Sequence, residues 1–205
     1  CECEARNRGI SVQQILTEKA SHLTPGQTGL IALDWWNGNK TPYVDATRSG
    51  LILGCTLTTR PEDIYRALIE STAFCTRLIM ETFEQAGNFT EEIIACGGIT
   101  HKNPLMMQIY ADVLNKEIKI SASDETPALG SAMYAAVAAG PEAGGYATIF
   151  EAAENMSCLE SYAYHPIKEY VVIYESLYQE YLSMVNQFAP ALHGCMEKLK
   201  AFSQP

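Results

Sequence analysis

Ala95-Cys96-Gly97-Gly98-Ile99-Thr100-His101-Lys102-Asn103-Pro104-Leu105-Met106-Met107-Gln108 carries a short strand into a glycine pair and out into a helix. Proline at the first helical position loses no hydrogen bond, because that N–H would have no intrahelical partner anyway, and Asn103 before it suits an N-cap. Glycines 97 and 98 have no Cβ, so the turn can be tight and a ligand can come close to the backbone. Uncovered N–H groups at the helix start add positive partial charge for phosphate or ribose oxygens. The stretch is neither a G-x-x-x-x-G-K-[ST] loop nor a G-x-G-x-x-G turn. Read locally, such a turn serves structure as readily as a nucleotide.

The strand-then-helix pattern repeats on either side. Strand Ile93 to Cys96 precedes helix Pro104 to Leu114, and strand Glu117 to Ile120 precedes helix Pro127 to Ala139, with Asn115 and Gly140 as stops. Upstream, Leu51 to Leu57 has the apolar pattern of a buried strand, and Thr59-x-x-Glu62 with Pro61 opens a long helix ending near Gly87. On that helix Ile64, Leu68, Phe74, Leu78, Ile79 and Phe83 form the expected inner face, and Arg66, Glu70, Arg77, Glu81 and Glu84 a solvated one. Strands alternating with helices at this spacing predict an α/β fold with parallel pairing through right-handed crossovers.

Before this region, Ser11 and Gln14 have capping-box spacing and open a helix to about His22, stopped by Pro25-Gly26. An apolar run from Leu30 to Leu33 leads into Asp34-Trp35-Trp36-Asn37-Gly38-Asn39, a loop whose tryptophans are expected to pack it onto the core, with stacking on a ligand as the alternative. From Thr148 the chain reads as helical. Its segment Lys168 to Phe188 carries Tyr170, Tyr174, Leu177, Tyr178, Tyr181, Leu182 and Val185 as a core-packing stripe. The expected organisation is one domain over 1–205: a helical lead-in over 1–28, an α/β core over 29–140 and a helical extension over 141–205.

Composition narrows the partners. Fourteen Lys and Arg against 24 Asp and Glu give a net charge of -10, which opposes nucleic acid and anionic membranes. A polyanion such as ATP would need a local site, built from backbone N–H groups, a helix end or Mg²⁺. The seven cysteines contain no C-x-x-C pair and fit reduced thiols in a cytoplasmic protein, and Cys1 and Cys3 have no second ligand pair at zinc spacing. The most apolar run, Ala128 to Ala139, is too short to span a bilayer. His22, His101, His165 and His193 stand singly. Asp34, Asp45, Asp112 and Asp124 are each explained by a turn, cap or surface role, so no catalytic residue is assigned.

Gly50-Leu51-Ile52-Leu53-Gly54 followed by Asp63-Ile64-Tyr65-Arg66-Ala67-Leu68-Ile69-Glu70 closely resembles the C-terminal signature of the FGGY carbohydrate kinases, with Cys55 and Leu68 departing mildly from it. Leu33 to Asn39, Cys96-Gly97-Gly98-Ile99, Asn103-Pro104-Leu105-Met106 and Thr126-Pro127-Ala128-Leu129-Gly130-Ser131-Ala132 extend the likeness over Gly29 to Gly140 and narrow it to one sugar-specific branch. The resemblance implies a partial actin-like ATPase domain, a mixed sheet flanked by helices, that binds ATP with Mg²⁺. A separate N-terminal domain would hold the sugar, so this chain alone would be inactive. It also implies that Gly97 and Gly98 lie against ATP, that Lys102 or Asn103 is near the adenosine, and that Gly130 and Ala132 let a helix pack closely beneath the site. The family's catalytic Asp falls upstream of the matching region, as do the phosphate-binding hairpin and the fold's first two strands. A sheet lacking those strands exposes an edge, which predicts a homo-oligomer. A kinase for another pentose or polyol, and a noncatalytic nucleotide-binding or assembly module, are the alternatives.

Overall fold

The computed structural model describes residues 1–203, which divide into two compact units. The first comprises Cys1–Thr90, Ile109–Asn115 and the chain from Pro166 onward; the second comprises Glu91–Gln108 and Lys116–His165.

The first unit begins with helices α1 (Glu2–Arg8) and α2 (Val12–Ser21), followed by strands β1 (Ile31–Leu33) and β2 (Leu51–Leu53). The capping box at α2 forms as its spacing requires: Gln14 N donates to Ser11 Oγ and Ser11 N donates to Gln14 Oε1. Strand β1 is buried at Ala32 and Leu33, with α3 (Pro61–Gln85) and α8 (Lys168–Ser183) packed on it. It pairs with β2 in antiparallel register, Ala32 opposite Ile52. Strand β2 is far shorter than the Leu51 to Leu57 run: Gly54 turns at a φ of +98°, where a Cβ would collide with the Gly29 carbonyl oxygen. Leu53 and Leu57 are exposed, so the buried-strand expectation fails at its C-terminal half.

Helix α3 starts one residue later than the Thr59 spacing suggests. Its box is made by Asp63, whose Oδ2 accepts from Arg60 N at 2.8 Å, while Thr59 Oγ1 is taken by Thr56 N. The larger correction concerns which face is inside. Arg66 and Glu70 are each 3% exposed and lie in the buried stripe with Ala67, Ala73 and Phe74, whereas Phe83 is exposed. Arg66 Nε donates to Glu70 Oε1 at 2.8 Å, Nη2 to the Tyr174 hydroxyl, and Nη1 to the carbonyls of Ala20 and Leu23 at the end of α2. Tyr174 in turn donates to Glu70 Oε1 at 2.9 Å. A helix with apolar residues on every side can turn a charged stripe inward when the charges satisfy one another and the orphan carbonyls of a neighbouring helix.

The tyrosine stripe of α8 is core, as its periodicity implies: Tyr174, Tyr178 and Tyr181 are buried around Phe74, with ring centroids 5.4 to 6.1 Å from it. A π-turn at Met184–Phe188 joins α8 to α9 (Ala189–Ser203).

The second unit contains β3 (Ile93–Ala95), α4 (Gly98–Lys102), β4 (Ile118–Ser121), α6 (Thr126–Ala139), α7 (Ile149–Met156) and β5 (Leu159–Tyr164), and the division between the units falls within α5 (Pro104–Leu114). Strands β3 and β4 pair in parallel, Ile94 opposite Lys119, as a strand-helix-strand crossover requires. Strand β5 then adds antiparallel to β4. It lies in the stretch expected to be wholly helical. Its Leu and Tyr residues favour a strand, but the sequence lacks the clean alternation that would announce one.

Candidate functional site

The glycine turn forms as a strand-to-helix corner. Gly97 has a φ of +90° and a ψ of 161°, a conformation in practice restricted to glycine, and caps the five-residue helix α4. Thr100 closes the corner, its N and Oγ1 both donating to the Gly97 carbonyl at 3.1 and 2.7 Å. Above the turn there is open space. A Cβ on Gly97 would meet nothing within 4 Å, and one on Gly98 would meet only Lys102 Nζ, at 3.7 Å. Thus Gly97, Gly98 and Lys102 come together as an uncovered backbone beside one ammonium group.

Asn103 is turned inward. It is buried, its N donates to the Ile99 carbonyl, and its Oδ1 accepts from Met106 N at 3.1 Å, the N-cap role its place before Pro104 suggests. His101 Nε2 stands 3.6 Å from Asp124 Oδ1, too far for a hydrogen bond. Gly130 has nothing within 4 Å of an added Cβ and Ala132 is exposed, so the close helix packing expected there is absent among the described residues.

Of the four aspartates set aside, Asp112 and Asp45 take structural roles. Asp112 Oδ1 accepts from Ile167 N at the start of α8, and Asp45 accepts from Thr47 and Arg48, which hold its carboxyl well below the usual range. Asp34 differs: burial pushes its carboxyl up, a hydrogen bond with Cys75 works against that rise, and its Oδ1 is buried without a hydrogen-bond partner among the described residues. The two tryptophans also divide. Trp35 is core at 1% exposed, under the Arg48 guanidinium at 4.8 Å, while Trp36 is 58% exposed. The expectation that both pack the loop onto the core therefore holds for Trp35 and fails for Trp36, whose ring lies over Gly50. Among the described residues no group of three or more His, Cys, Asp or Glu could hold a metal ion, and no helix is long and apolar enough to cross a membrane.

The model of the FGGY family of carbohydrate kinases, C-terminal domain, matches residues 2–139. The chain belongs to that family. Within it, the chain is similar to the ribulokinase of Halalkalibacterium halodurans, 53% identical over 198 residues that cover 97% of this chain and 35% of the relative. It is also similar to that of Anoxybacillus flavithermus, 52% identical over 200 residues covering 98% and 36%. The chain therefore spans about a third of the length of the curated relatives it matches. The xylulose kinase of Rhodospirillum rubrum superposes with a TM-score of 0.73 over 90% of this chain and 35% of that one, at 22% identity. At that identity the likeness shows the fold: part of the actin-like ATPase fold of FGGY kinases, mixed α/β with small sheets flanked by helices. The FGGY signature accounts for Gly54, whose turn lies against the Gly29 backbone, and it includes the Arg66–Glu70 pair that ties α3 to α2 and α8.

Proposed function

We propose that this chain is the nucleotide-binding portion of a cytoplasmic ATP-dependent sugar kinase that phosphorylates L-ribulose in L-arabinose catabolism, and that it turns over only with an N-terminal sugar domain. The observation that carries the reading is identity above 50% to ribulokinases across nearly the whole chain. The glycine turn supports the nucleotide part. Its open face fits a group that would collide with any Cβ, and Lys102 Nζ beside Gly98 supplies a cation for a phosphate or ribose oxygen. Bound ATP supplies the transferable γ-phosphoryl group. Gly97 and Gly98 let the nucleotide lie on bare backbone, Lys102 offsets its charge against a net charge of -10, and the buried Asn103 fixes the start of α5 behind them. Mg²⁺ would accompany the nucleotide's phosphates. The base that accepts the sugar hydroxyl proton would be supplied by the segment upstream of the matching region.

Calorimetry of ADP with Mg²⁺ against the 205-residue chain and its Gly98→Val variant tests this. The valine would enter open space, so it should block the ligand and leave the fold intact. Binding to the parent that the variant loses, with unchanged circular dichroism, is expected; binding indifferent to the substitution would remove the turn from the site. Mixing with the N-terminal part of a ribulokinase should then restore L-ribulose-dependent ADP release.

A further inference from the structure

Loop 34–41 and the α3 residues Cys75 and Ile79 line an open concavity of ≈ 410 Å³ in the first unit, within the size range of small-ligand sites. The loop is pinned from several directions. Asn39 is buried, exchanges backbone hydrogen bonds with Asp45 at 2.9 and 2.7 Å, and accepts from Tyr43 N through Oδ1. Arg48, paired with Asp45, lies over the rings of both Trp35 and Tyr43. The exposed Trp36 ring rests where a Gly50 side chain would stand. Two lining residues are left incomplete: although Cys75 interacts with the Asp34 carboxyl, Asp34 Oδ1, an acceptor, and Trp35 Nε1, a donor, are both buried with no hydrogen-bond partner among the described residues. Buried polar groups nearly always find partners, and an orphan pair beside a pocket needs a reason.

A hydroxyl group can answer both, because it donates once and accepts as well. An anion would meet the Asp34 carboxylate, and an apolar ligand would leave both atoms unpaired. We propose that this pocket binds a neutral polyhydroxylated ligand, a sugar or sugar alcohol, with one hydroxyl donating to Asp34 Oδ1 and accepting from Trp35 Nε1 while the Trp36 ring covers its C–H face. Asp34 and Trp35 both line the pocket while these two atoms are closed to solvent, so binding requires a shift of lining side chains, of which Trp36 and Lys40 are exposed. The choice of a sugar rests on the kinase reading; the place rests on the pocket alone. This chain would then contribute sugar contacts of its own.

The chain has two tryptophans, and both line the pocket, so indole fluorescence reports on it directly. The intact 205-residue chain is titrated with L-ribulose and with ribitol, and with betaine as an osmolyte that has no hydroxyl. A saturable shift in emission in the millimolar range, roughly 4 kcal/mol of binding, is expected for at least one of the two polyols. Asp34→Asn should weaken it about tenfold, the difference between a charged and a neutral hydrogen-bond acceptor, with the thermal midpoint monitored as a control for folding. Trp36→Ala, at an exposed position, should leave the fold intact and weaken binding, read by calorimetry. A linear response equal to that of betaine overturns the proposal, as does saturable binding untouched by both substitutions. ADP binding by the same preparation is scored separately: a polyol response without ADP binding removes only the nucleotide reading, and ADP binding without a polyol response removes only this one.

Discussion

Replacing Arg66 by Met should be the most damaging single change in the first unit. The guanidinium is 3% exposed, and its removal leaves the Glu70 carboxylate buried with the Tyr174 hydroxyl donating to it, while the Ala20 and Leu23 carbonyls lose a shared donor. Breaking one side of a buried ion pair costs about 3–5 kcal/mol, because the surviving charge is left uncompensated. For a chain of this length that corresponds to a fall in Tm of roughly 6–20 °C, at about 2–4 °C per kcal/mol. Tyr174→Phe removes only the hydroxyl, leaves the ion pair standing, and should cost about 1.5–3 kcal/mol, the range for hydrogen bonds to charged groups. The double variant Arg66→Met/Glu70→Leu takes away both charges and replaces them with apolar volume, so it should be more stable than Arg66→Met alone. Urea unfolding followed by circular dichroism measures all three. The reasoning is refuted if Arg66→Met lies within about 1 kcal/mol of the parent, or if the double variant is no better than the single.

Three further outcomes follow from the geometry. Gly97→Ala forces a side chain into a backbone conformation reserved for glycine; it should cost about 1–3 kcal/mol and weaken ADP binding, both readable in one melting series with and without nucleotide. Asp63 is held below its ordinary value of 3.8 chiefly by its hydrogen bond with Arg60. A depressed carboxyl stabilises the fold above the unfolded value and loses that contribution as pH falls through the folded one. Asp63→Asn should therefore cost about 1 kcal/mol at pH 7 and progressively less below pH 3.8, a convergence that urea midpoints across pH can measure. Burial pushes the Cys75 thiol up to about 12, while the other six cysteines are exposed; a thiol reagent at pH 8 should label six sites promptly and Cys75 only after denaturant is added.

Much of the local structure was legible from side-chain chemistry acting over a few residues. The Ser11 and Gln14 spacing is a capping box in the fold, Asn103 before Pro104 is an N-cap, and the β3 to β4 crossover is parallel because a helix lies between the strands. The tyrosine stripe of α8 declared its own buried face. The glycine pair at 97 and 98 could be recognised as a corner with an open side, although nothing local said whether Lys102 or Asn103 would face that side. Strand β5 escaped notice because its residues do not alternate, and it exists through pairing with β4.

Sequence by itself determined what depends on neighbours in the chain: caps, turns, helical periodicity, and the strings that place the chain among the FGGY kinases. Tertiary structure alone decided which side of α3 is inside, which tryptophan is core, and that one oxygen of the half-buried Asp34 is closed off without a hydrogen-bond partner among the described residues. Each of these turns on partners distant in sequence. Arg66 and Glu70 can be buried because Tyr174 and the end of α2 complete their hydrogen bonds, and Trp36 lies where it does because Gly50 leaves room. Burial of a charge is a property of the assembled site rather than of the residue, so periodicity that reads polarity alone assigns such a stripe to solvent.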